Sequence, residues 1–110
     1  MLEFLEMDAK QVRLYLSFYH WQEEDGEHWV ECPSLRTIGN GPDKAEALRM
    51  CKEMTLILLE HCIGENTLEQ MLKDEGWSVV KQDETVIRFL PPNAKPERSW
   101  AQMEKLLLSA

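Results

Sequence analysis

The stretch CPSLRTIGNGPDKAEAL, Cys32 to Leu48, constrains the fold more than any other. Within seventeen residues an extended run must end at a proline, pass two glycines and start a helix. Pro33 lacks the amide that a ladder needs, so a strand finishes there. LRTIG then reads as a further short strand and GNGP as the turn out of it. Asp43 and Glu46 stand three apart at the head of an apolar-periodic run. This is a capping box with Asp in the Ser/Thr place, the aspartate accepting from the amide of Glu46 and the glutamate reaching back. Leu48, Cys51, Thr55, Leu58 and Cys62 follow at helical spacing and predict the stripe that faces a sheet.

Upstream, QVRLYLSFYHW alternates Val12, Leu14, Leu16 and Phe18 with Arg13, Tyr15, Ser17 and Tyr19, the period of a half-buried strand. QEEDGE is a polar turn and HWVEC a second extended run, so the two form a hairpin. Downstream of the long helix, Gly64 is expected at C′, with Asn66 or Thr67 capping a short helix, TLEQMLKDE, that Gly76 ends. WSVV and TVIRFL read as strands about the turn KQDE, closed by Pro91 and Pro92. In NAKPERSWAQMEKLLLSA, Pro96 suits a first helical turn, and Trp100, Met103 and Leu107 recur at helical spacing. The expected architecture is α+β: a small antiparallel sheet with a long helix packed on one face, in the order β-β-β-α-α-β-β-α. Residues 1–92 form the domain and residues 93–110 a C-terminal helical tail.

The segment TLILLE is apolar nearly all round and needs cover on more than one side. Leu56 and Leu59 there, with Trp100, Met103 and Leu107 of the tail, are the candidate surface for a homodimer.

Charge narrows the function classes. The chain has 110 residues and a net charge of −8. Residues 1–42 carry eight acids against three bases, and residues 43–75 eight against four. Such a surface repels phosphates, so direct nucleic-acid binding is not expected, and a basic protein is the better partner. No apolar run approaches the length of a membrane span, and the acidic start is unlike a signal peptide, which makes the expectation cytoplasmic. Cys32, Cys51 and Cys62 have neither disulfide nor zinc-knuckle spacing and read as small buried hydrophobes. His20, His28 and His61 share no chelating step on one helix, so no metal site is expected. Nucleophile-elbow, Walker and zinc-protease motifs are all missing, and the reading is of a protein that is not an enzyme and needs no cofactor.

The ordered set HWVECPSLRTIGNGPDKAEALRMCKEM, EHCIGENTLEQMLKDEGW and VIRFLPP, across roughly residues 11–92, resembles the HicB-like antitoxins of type II toxin–antitoxin systems. The residues that carry the resemblance are Trp29, Pro33, Leu35, Gly41, Asp43, Glu46, Ala47 and Leu48. Members usually have glycine just after the leucine, where Arg36 and Thr37 stand here, and threonine at the place of Asp43. The resemblance implies a lone lobe similar to a partial ribonuclease H or double-stranded-RNA-binding fold. Its implied function is to mask a small basic HicA-like toxin that cleaves mRNA. The alternative is a stand-alone oligomeric module of the same kind, with a structural or regulatory role and no toxin.

Overall fold

The computed structural model describes residues 3–81, 86–92 and 100–109. The elements are β1 Phe4–Met7, β2 Gln11–Gln22, β3 His28–Cys32, β4 Thr37–Gly41, α1 Lys44–Gly64, α2 Leu68–Asp74, β5 Ser78–Lys81, β6 Ile87–Leu90 and β7 Trp100–Ser109. All seven strands join one antiparallel sheet, ordered β4-β3-β2-β1-β6-β5, with β7 paired to β2. The class is therefore α+β with a long helix on one sheet face, as the periodicities indicate.

The twelve-residue β2 organises the sheet. β7 pairs with it continuously from Gln11 to His20. Residues 12–15 also pair with β1 and residues 19–22 with β3. A strand has two edges, so β1 and β3 must lie end to end along the edge that β7 does not use. Glu3 fills the gap between them. Its carboxylate accepts from the Ser17 amide at 3.0 Å and from the Ser34 hydroxyl at 2.9 Å, and the Ser34 carbonyl accepts from the indole of Trp77 at 2.8 Å. Backbone and loop groups left over where two strands abut are thus paired.

Val12, Leu14, Leu16 and Phe18 turn one face of β2 into the core, where they meet Leu5, Val30, Leu35, Cys51, Leu59, Leu72 and Phe89. α1 packs over β4 and β3. Gly39 makes this possible: a Cβ there would stand 2.3 Å from the Cys51 amide nitrogen and 2.8 Å from the Ala47 carbonyl. Only a residue without a side chain lets helix and strand backbones approach so closely. The same junction holds a buried polar chain. Thr55 donates its hydroxyl to the Cys51 carbonyl at 2.8 Å, which leaves Thr37 to donate to Thr55 at 2.6 Å.

Several local expectations shift. Asp43 caps α1, accepting from the Glu46 amide at 2.8 Å, but Glu46 directs its carboxylate to Arg49 rather than back to the cap. The buried stripe of α1 is Ala47, Cys51, Thr55, Leu59 and Cys62, with Leu48 and Leu58 only half-buried. Helix α1 runs through Gly64, and the left-handed residue that ends the turn is Asn66, φ 60°. An asparagine tolerates that conformation, so the nearby glycine is not needed for it. Strand β4 starts at Thr37, and Pro33–Arg36 form the loop before it, with Leu35 tucked into the core.

Two elements differ in kind. Strand β1 comes from FLEM, which is too short for its pattern to declare itself. The tail expected to be helical is, over Trp100–Ser109, the strand β7. Residues 93–99 of that tail lie outside the described residues. Helical spacing of Trp100, Met103 and Leu107 was outweighed by the open edge of β2, whose unpaired amides and carbonyls accept a strand and not a helix.

Candidate functional site

Two surfaces stand out. The first is the sheet face turned away from α1. Trp21 and Trp29 are register partners across β2 and β3, and their rings stack with centroids 6.3 Å apart and planes at 13°. Tyr19 and Glu31 pair beside them. The hairpin that follows β2 sets acids around this pair. Glu23 accepts from the Trp21 indole at 2.8 Å, and Glu27 accepts from the Asn40 side-chain Nδ2 at 3.0 Å. Further along the face, Phe4 and Tyr15 pack at 5.1 Å, the Arg88 guanidinium lies 4.4 Å over the Phe4 ring, and Glu6 pairs with Arg13 at 3.1 Å. Rigid aromatic bodies with carboxylates at their edge suit a protein partner that offers basic side chains to the rim and apolar ones to the rings.

The second surface is a groove of about 580 Å³ between α1, α2 and the β4 edge, lined by Leu35, Ile38, Met54, Ile57, Leu58 and Met71 among others. Met54 and Ile57 are 46% and 53% exposed, which marks a patch rather than a lone apolar residue, whereas Ile38, the register partner of Glu31, turns its side chain to the opposite sheet face. At one end Arg36 pairs with Glu75 at 3.0 Å.

The residues that carry the family resemblance are mostly placed to seat α1 on β4. A Cβ on Gly41 would come within 2.8 Å of the Glu46 Cβ and 3.1 Å of the Ala47 amide nitrogen. Asp43 caps the helix, Ala47 is buried beneath it, and Leu35 closes the core beside it. Pro33 opens the β3–β4 loop, and Trp29 alone of the set lies on the opposite sheet face, in the aromatic surface. The expected oligomer surface is not brought together as such. Leu59 is fully buried in its own chain's core and is unavailable to a partner, a correction that follows from the helix facing the sheet through Leu59. Leu56 is half-buried, and Trp100, Met103 and Leu107 are register partners of His20, Ser17 and Arg13 on β2.

Sequence reasoning missed the contact between His20 and His28, whose Nε2 and Nδ1 lie 2.8 Å apart with the rings stacked. The signal was present in the hairpin register, since His20 faces Val30 and Gln22 faces His28, a diagonal on one face. Burial, His28 and Lys44 hold His20 below the usual histidine range, in that order of importance. Cys32, Cys51 and Cys62 are free and buried. Burial pushes the Cys32 and Cys51 thiols up, so both stay protonated. Among the described residues no three His, Cys, Asp or Glu side chains gather as metal ligands, and no helix is long and apolar enough to cross a membrane. Compared with known proteins, the chain matches no family model, no curated protein and no solved structure.

Proposed function

We propose that this protein is a protein-binding lobe of the HicB-like antitoxin type, which neutralises a small basic HicA-like mRNA-cleaving toxin by covering its surface. The observation that carries the reading is the stacked Trp21–Trp29 pair within an acidic rim formed by Glu23, Glu27 and Glu31. A toxin that grips RNA presents lysines and arginines for phosphate. The rim meets those charges, steering the encounter, while the aromatic rings supply the buried anchor. Masking requires no catalytic group on this chain, and the net charge of −8, concentrated in residues 1–75, has the right sign.

The test is binding to the product of the adjoining reading frame, which this reading expects to be a short basic protein with a Gly-Ser-His core. Isothermal titration should give tight binding that weakens as salt rises, and Trp29→Ala should lower affinity by at least about tenfold, the scale of an interface anchor. An adjoining frame without such a protein, or binding that neither salt nor Trp29→Ala alters, would leave the alternative of a stand-alone oligomeric module with a structural or regulatory role.

A further inference from the structure

We infer that the His20–His28 pair is a proton-operated latch on the β2–β3 hairpin, closed while the pair holds at most one extra proton and opened by the second, so that acid parts the strands at the rung carrying Trp21 and Trp29. Placement is the first reason. The register sets His20 opposite Val30, Trp21 opposite Trp29 and Gln22 opposite His28. The imidazoles therefore meet diagonally across the Trp21–Trp29 rung on the α1 side of the sheet, while the indoles stack on the other side. His20 Nε2 and His28 Nδ1 stand 2.8 Å apart, and both residues are partly exposed, so a proton reaches them without unfolding of the chain.

Proton counting separates the two steps. A neutral imidazole pair has four ring nitrogens and two protons, and the contact uses one N–H and one lone pair, whichever ring donates. The first added proton goes to the outer nitrogen of the donating ring, which leaves the contact in place and charge-assisted. The second finds a lone pair only on the accepting nitrogen, inside the contact. It turns that nitrogen into a donor, so two N–H groups of two cationic rings meet at a distance that only a donor and an acceptor share. The contact must break. The two rings thus titrate as one coupled pair and not as two separate histidines.

The charged neighbours add to the effect. Lys44, the first residue of α1, is a third cation, and burial, His28 and Lys44, in that order, hold His20 below the usual histidine range. Gly41, the register partner of His28, lies against Glu46 and Ala47, so the pair sits beside the first turn of α1, whose dipole disfavours positive charge. The carboxylates there are directed elsewhere, Asp43 to the Glu46 amide and Glu46 to Arg49. In the hairpin turn Glu23 accepts from Trp21, Asp25 from the Glu27 amide and Glu27 from Asn40, while Glu24 is exposed at the tip. Glu31, the register partner of Tyr19, is on the indole side. β4 has no titratable residue, and β7 pairs Trp100 with His20 and its Glu104 and Lys105 with Leu16 and Tyr15, four and five rungs away. The opening is a property of this chain alone; acid release of a basic partner from the aromatic face is the consequence that rests on the toxin reading above.

NMR titration of the full chain without any partner, from about pH 7.5 to about pH 5, is the test, and its result is independent of the toxin reading. The ring C–H signals of His20 and His28 should report two proton uptakes at least about tenfold apart in affinity, the mark of a coupled pair. Across the second uptake the indole N–H signals of Trp21 and Trp29 should move together and their ring-to-ring contact should disappear. Trp77, whose buried indole donates to the Ser34 carbonyl, should stay in place and serves as the internal control. His20→Gln and, separately, His28→Gln leave one imidazole, and the indole movement should vanish in both over the same range. Uptakes less than about tenfold apart, an indole pair that keeps its contact through the second uptake, or an indole movement that survives in either variant would each overturn the proposal. So would a Trp77 signal that moves with the other two, because the chain would then be unfolding as a whole.

Discussion

Gly39 and Arg36 show how much a single backbone position can carry. At Gly39 the obstacles to a Cβ are backbone atoms of α1, 2.3 to 2.8 Å away, and backbone cannot turn aside as a side chain would. Gly39→Ala must therefore lift the helix off β4. We expect a loss of at least about 3 kcal/mol, in the range of severe overpacking, read from denaturant midpoints; a loss under about 1 kcal/mol would mean that the junction is looser than described. Arg36 presents the reverse case. It holds φ at 58°, in the left-handed region that favours glycine. A non-glycine residue there costs roughly 1–2 kcal/mol, and glycine's extra freedom in the unfolded chain returns about 0.5–1 of that. Its ion pair with Glu75 joins a guanidinium that is 80% exposed, and exposed pairs contribute little. Arg36→Gly should thus raise stability by up to about 1 kcal/mol. Destabilisation instead would show that the Arg36–Glu75 pair pins α2 to the loop.

At the scale of elements, β2 and α1 were legible because each is long enough to repeat its period several times. Alternation through Val12, Leu14, Leu16 and Phe18 predicts a strand, and Asp43 marks the helix start that is observed. β1 has four residues, under two full alternations, and was not legible. β7 was misread because WAQMEKLLLS fits a helical stripe in isolation, and the vacancy that draws it into the sheet belongs to β2. Its removal makes a test. Each ladder hydrogen bond contributes about 1 kcal/mol, and ordering each residue of β7 costs about 1–2 kcal/mol, so backbone pairing alone roughly breaks even. A chain ending at Pro92 should stay folded by circular dichroism yet expose a ten-residue edge of β2. Light scattering should then show association beyond the state of the full chain. A truncated chain as monodisperse as the full one would mean that β7 does not guard that edge.

For the whole molecule, pH reads out the His20–His28 contact between β2 and β3. His20 lies below its ordinary value of 6.5, so on acidification the unfolded chain takes up a proton before the folded chain does. Stability is accordingly full above the unfolded value and declines as pH falls through it. The lowered carboxyls of Glu46 and Asp8 act later, below 4.5 and 3.8. Denaturant midpoints should drop from neutral to mildly acid pH in the wild type, and His20→Gln should flatten that slope; parallel slopes would remove His20 from the account. The sequence by itself determined the class, the long hairpin, the capped helix, the short helix after it and the acidity, because each rests on periodicity, turn chemistry or charge within a few neighbouring residues. Only the tertiary structure decided that β1 and β3 share one edge of β2, that the tail becomes a strand, that Leu59 is core while Ile57 is surface, and that two histidines eight residues apart touch. Each of these depends on which edge or face is left vacant once the other elements have packed, and a vacancy is a property of the assembled sheet that no local stretch of sequence contains.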